Sequence, residues 1–172
     1  MSHIKEIRDT AITVLNNACI IDNKVTHSNI IPADAKELPK INVHIDTTNG
    51  TNTANNANMF DTDIELTIDM LDSAESDEQL ADTLSEYLEK VMNTLFGSLK
   101  IARLAKLESY KSTTEPNIAG HKRLGLTQLV ISYSYKEEFA YDLSAENDLD
   151  EIHIKQKHAG KIATETIITN GD

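Results

Sequence analysis

The sequence predicts an α/β fold of the α+β kind: a mixed, mainly antiparallel sheet covered by two main helices, with a C-terminal β-hairpin extension. Three observations carry this. In residues 60–70, Phe60, Ile64, Leu66, Ile68 and Met70 fall on one side of a period-2 pattern, with Asp61, Asp63, Glu65, Thr67 and Asp69 on the other. In residues 80–95, Leu80, Leu84, Tyr87, Leu88, Val91 and Leu95 follow the 3.6-residue spacing of a buried helical stripe. Further alternating stretches, Ile41-Val43-Ile45 and Leu129-Ile131-Tyr133-Tyr135, supply partner strands.

The elements follow in order. Ile4, Ile7, Ala11, Val14, Leu15 and Ala18 describe an amphipathic first helix, with Glu6 and Asp9 near the positive end of its macrodipole. Leu38-Pro39 leads into a half-buried strand whose polar side carries Asn42, His44 and Asp46. Residues 47–58, almost wholly Thr, Asn, Ala and Gly, read as a long mobile loop joining two antiparallel strands. Ser76, with Gln79 three residues on, marks the start of the second helix as in a capping box, and Gly97 marks its end. A short helix within 99–107 and an extended segment from Leu107 toward Pro116 come next. The strand of residues 124–135 then follows, with Gly120 and Gly125 read as a turn and a bulge. Residues 1–141 therefore form one domain. Residues 142–172 are an acidic connector and an extension, whose isoleucines flank a turn at His158-Ala159-Gly160.

Composition narrows the function. A net charge of −12 over 172 residues argues against a nucleic-acid surface, because such affinity comes mainly from Lys and Arg displacing counterions. The start of the chain lacks a secretory apolar core, and no apolar run reaches the ~20 residues that span a bilayer. A soluble, intracellular protein is expected. Cys19, the one cysteine, has apolar neighbours and reads as a buried small hydrophobe. Phosphate-binding glycine loops and a Gly-x-Ser-x-Gly elbow are absent, so no cofactor and no enzymatic activity are expected.

Two charged sets remain. Asp61, Asp63, Glu65 and Asp69 line one strand face, with His44 and Asp46 expected on the strand beside it. Successive carboxylates on such a face stand about 7 Å apart, so a divalent cation would need further ligands, and an exposed or interface-facing sheet surface is the simpler reading. Lys100, Arg103, Lys106 and Lys111 form a basic run after the acidic helix. Its plain reading is a solvated face, and its sharper one is assembly: a subunit acidic in one region and basic in another can pair head to tail with a copy of itself.

The order of elements resembles the phage tail terminator family, the minor tail proteins of lambda-like long-tailed phages. The similarity lies in Ile7-Arg8-Asp9 through Leu15, Glu37-Leu38-Pro39-Lys40-Ile41-Asn42-Val43, and residues 63–70, 80–96 and 124–135. It implies a virion protein, assembled in the host cytoplasm, that forms a ring, usually hexameric. The ring sits at the head-proximal end of the tail, stops growth of the tail-tube protein and joins it to the head-completion protein. Asp61, Asp63, Glu65 and Asp69 are then candidates for one polar interface face, and Lys100, Arg103 and Lys106 for the opposing one. Two other readings stay open: a neck or head-completion protein of the same virion, and a metal-dependent hydrolase or nuclease built on Asp61, Asp63, Glu65 and His44.

Overall fold

In a computed structural model of the chain, residues 3–22, 25–27, 38–52, 59–119, 122–138, 151–158 and 161–169 are described. Two compact units divide it, Met1–Glu138 and Phe139–Asp172. In the first, helix α1 (His3–Asn17) precedes strands β1 (Lys40–Asn52) and β2 (Met59–Ala74). Helices α2 (Asp77–Phe96) and α3 (Leu99–Ala102) and strands β3 (Lys106–Ala119) and β4 (Lys122–Glu138) complete it. The fold is α+β, as the periodicities predict.

The four strands lie in the order β1-β2-β4-β3, and every neighbouring pair is antiparallel. Beside β1, Thr26 makes a parallel bridge to Asn42 through Thr26 N–H to the Ile41 carbonyl (3.0 Å) and Val43 N–H to the Thr26 carbonyl (2.8 Å). Register sets the faces. Ile41, Val43 and Ile45 pair with Met70, Ile68 and Leu66, and Leu66, Ile68 and Ile64 pair in turn with Ile131, Leu129 and Tyr133. These side chains point to one side, where α1 contributes Ile7, Ala11 and Leu15 and α2 contributes Val91 and Leu95 to the same core.

Helix α2 starts where its cap predicts: the Ser76 side chain accepts from Gln79 N–H at 3.2 Å, satisfying one of the unpaired donors of the first turn. Its stripe of Leu80, Leu84, Val91 and Leu95 is buried on β2 and β4. Tyr87 adds a polar tie, its hydroxyl donating to Asp72 Oδ2 at 3.1 Å. Helix α1 is held at both ends. His3 Nε2 lies 2.8 Å from the Leu104 carbonyl and its ring meets Tyr135 at 4.5 Å; Asn16 exchanges two hydrogen bonds with the Val25 backbone.

The structure corrects three expectations. Residues 47–52 belong to β1, where Thr48 and Thr51 pair with Ile64 and Asp61, because threonine suits a pleated ladder even when no apolar layer covers it. Residues 53–58 of the expected loop lie outside the described residues, as do the connector at 142–150 and the turn residues 159–160. Gly125 is no bulge: it stays in regular register with Asp72 and Pro116. Its role is close packing, since a Cβ there would stand 2.6 Å from Leu84 Cδ1 and 3.1 Å from Leu80 Cδ2. Cys19 is exposed, because the chain leaving α1 passes through a left-handed residue, Cys19 at φ 47°, which turns its side chain outward while Ile20 and Ile21 go into the core. The second unit holds β5 (Glu151–His158) and β6 (Lys161–Thr169) as an antiparallel hairpin, with a register shift at Gln156/Lys157.

Two predictions follow from this packing. Gly125→Ala sets a methyl group 2.6 Å from Leu84 Cδ1, so the buried leucines must shift, and it should lower stability by about 1–3 kcal/mol, measured by urea unfolding. A midpoint unchanged from the parent chain would show that α2 can ride outward freely. Burial, joined at Tyr135 by Glu137 and at Tyr87 by Asp72, pushes the phenols of Tyr87, Tyr133 and Tyr135 up to about 12. An unfolded tyrosine ionises at about 10, so this stabilisation is complete below that pH and is lost as pH rises through about 12. Tyrosinate absorbance should therefore titrate later in the native chain than in urea; coincident curves would refute the burial argument.

Candidate assembly surface

The face of the sheet turned away from the helices divides into two unlike halves. One half holds a buried polar network. Asn42 is 1% exposed, Thr67 0%, and His44 and Asp69 7% each. A register shift between Ile45 and Thr47 sets Asp46 in a β-bulge, the kind of irregularity that re-aims a side chain. The Asp46 carboxylate reaches back to His44 Nε2 (3.0 Å) and accepts from Thr67 Oγ1 (2.5 Å). Gln128 Nε2 donates to Asp69 Oδ1 at 2.9 Å, and Thr26 Oγ1 donates to Asn42 Oδ1 at 2.8 Å. When the imidazole is neutral with its proton directed at Asp46, Nδ1 is left an acceptor. It is buried without a hydrogen-bond partner, 3.7 Å from Asp69 Oδ2.

The other half is open and charged. Asp63 and Glu65 are exposed and Asp61 half-buried. Cross-strand rows run from Asp61 to Lys136, from Asp63 through Ser134 to Lys106, and from Glu65 through Ser132 to Ser109. A second bulge, between Leu107 and Ser109, carries Glu108. Its carboxylate accepts from Ser134 Oγ at 2.6 Å and pairs with Lys106 Nζ at 2.9 Å, and these two contacts hold its pKa below the ordinary carboxylate value. Asp63, Glu65 and Glu108 share a shallow cleft of about 320 Å³ with Asn49 and Ser132.

Of the residues singled out in the sequence, Asp61, Asp63 and Glu65 thus share an exposed surface, whereas Asp69 belongs to the buried network and faces Gln128 and His44. His44 lies opposite Thr67, four residues along β2 from Asp63, which is roughly 13 Å of strand. The carboxylates and the imidazole of the hydrolase reading therefore do not converge. Among the described residues no three His, Cys, Asp or Glu side chains are grouped so as to hold a metal ion. Lys106 stands on the same face as Asp63, so the two do not form opposed surfaces.

Lys100 and Arg103 lie elsewhere, on and just after α3, both exposed. They flank a feature that hydrophobic periodicity did not single out. Leu99 at 74%, Tyr110 at 54% and Leu107 at 41% are the large apolar side chains exposed among the described residues, and all three lie at the corner formed by the end of α2, α3 and the start of β3. Tyr110 packs on Phe96 with ring centroids 5.4 Å apart. Beside Phe96 opens a groove of about 270 Å³ lined also by Ile101, Ala105, Lys106, Leu107 and Tyr133, among others. β3 is an edge strand, and its outer side has no strand partner among the described residues. Leu99 directly beside Lys100 was the available signal, but an apolar residue in a short helix gives no hint of its exposure. Neither a scan against protein-family models nor a search of curated proteins finds a match for this chain.

The buried network yields a test. Asp69→Ala strips Gln128 of its acceptor and should cost about 1–3 kcal/mol. Asp69→Asn, which keeps an acceptor for Gln128 and offers an N–H toward His44 Nδ1, should leave the urea midpoint unchanged or raise it. Equal losses in both variants would contradict the hydrogen-bond assignment.

Proposed function

We propose that this chain is a non-enzymatic assembly subunit that forms a ring with copies of itself, and that it serves as a tail terminator of a long-tailed phage. In that role the ring caps the tail tube, and its other surface receives the head-completion protein. The observation that carries the self-assembly reading is the exposed apolar corner of Leu99, Leu107 and Tyr110, bordered by Lys100 and Arg103 on a chain of net charge −12. A contiguous apolar patch rimmed by charge is stabilised when another protein surface covers it. The unpaired side of β3 adds a second surface that proteins ordinarily cover or block. The terminator assignment itself is supported by the order of helix, strand pair, covering helix and late strand, and by the similarity of residues 63–70, 80–96 and 124–135 to that family.

Size-exclusion chromatography with light scattering, across protein concentrations, at low and high salt, with and without tail-tube protein, tests self-assembly. A discrete oligomer that weakens with salt is expected. A chain that stays monomeric in every condition would sink the ring. Gene order discriminates the terminator from a neck or head-completion protein: a terminator gene should lie just upstream of the major tube-protein gene.

A further inference from the structure

We infer that the apolar corner at the end of α2 docks onto the exposed acidic face of α2 in a second copy, a heterologous contact that joins subunits head to tail. This contact rests on the self-assembly reading and specifies which two surfaces meet. The charges lie at opposite ends of one rigid element. Glu78, Ala81, Asp82, Ser85, Glu86 and Glu89 recur at i, i+3, i+4, i+7, i+8 and i+11, so they share one helix face, and all six are exposed. A shallow, open depression of about 370 Å³ runs along Glu78, Asp82 and Glu86, lined also by Ser76, Gln79 and Thr83. An apolar knob with a cationic rim fits such a surface.

That rim stands at the other end. Lys100 and Arg103 follow the helix C-terminus, and neither makes an ion pair among the described residues; Lys106 is already engaged by Glu108. From Asp82 to Phe96 the helix rises roughly 21 Å at about 1.5 Å per residue, so a subunit cannot bring its own basic corner to Glu78 and Asp82 on its own acidic face. Part of the acidic charge has an internal explanation, since Asp77 and Glu78 occupy the first turn, where the macrodipole favours carboxylates. Asp77 also pairs with Arg123, and Glu86 with Lys90 at 2.6 Å. Asp82 and Glu89 lie beyond the reach of the dipole and carry no ion pair among the described residues, which leaves both carboxylates open to a partner. The α2 face and the corner are different surfaces, so a pair keeps one free surface of each kind, the helix face on one copy and the corner on the other. Such contacts propagate until a ring closes.

The test uses two double variants of the full chain. Lys100→Glu with Arg103→Glu disables the corner; Asp82→Ala with Glu89→Ala disables the helix face. All four positions are exposed, and matching far-UV circular dichroism and thermal midpoints would establish that both variants fold. Under conditions where the parent chain assembles, each variant alone should be monomeric by light scattering. A 1:1 mixture should give a dimer and nothing larger, because only the intact corner of one variant can meet the intact helix face of the other. An assembling parent with either variant still reaching parental size, or with a mixture that stays monomeric, overturns this contact and leaves self-assembly standing. A parent that is monomeric throughout overturns both.

Discussion

Everything else in the first unit is arranged around the contact of α2 with the central strand pair β2–β4. Those strands are paired in unbroken register along their length, and their helix-facing side chains meet the stripe of Leu80, Leu84, Val91 and Leu95. Gly125 permits that approach by presenting no side chain to Leu84 and Leu80. Once this layer is set, β1 and β3 have no choice but to flank it, α1 fills the remaining apolar surface over β1, and α3 is a single turn that brings the chain back to the edge. The free edge and the exposed corner are consequences of that order.

The outer face of the sheet follows from the same register with a different outcome. Residues of one parity on β2 become core, so the other parity must carry polar groups, and their surroundings then separate them. Asp69 and Thr67 lie where β1 contributes Asn42 and His44, and the four are shielded from water, with Asn42 bonded to Thr26, Thr67 and His44 to Asp46, and Asp69 to Gln128. Asp63 and Glu65 lie farther along the strand, in the open. Each edge strand of the sheet has a bulge, and each bulge presents a carboxylate, Asp46 or Glu108, to neighbours on this face. An extra backbone residue shifts the aim of a side chain, which is how Asp46 meets both His44 and Thr67.

How much of this was legible depended on whether a signal was periodic. The β2–α2 unit was readable almost to the residue, including its Ser76 cap, because one face of each element is buried along its length. Gly125 was visible as a glycine, but its function was not, since close approach of a helix from elsewhere in the chain leaves no local mark. Cys19 sits among apolar residues and is exposed nonetheless, because a left-handed backbone at the helix end decides which way it points. The Thr-rich stretch after Ile45 looked too polar to be ordered, yet threonines pair well in a ladder that has no apolar layer over it.

By itself, the sequence determined the fold class, the helix and strand faces and the strongly acidic character of the chain, because those properties follow from the period of apolar residues and from summed charge. Tertiary structure alone decided the fate of individual polar groups. It buried Asp69 with His44 and left Asp63 and Glu65 open. It placed Lys106 beside the carboxylates it was expected to oppose, and gathered Leu99, Leu107 and Tyr110 from separate elements at one corner. Burial, pairing and exposure are set by neighbours from other strands and helices, and neighbours distant in the chain are specified only when the elements pack.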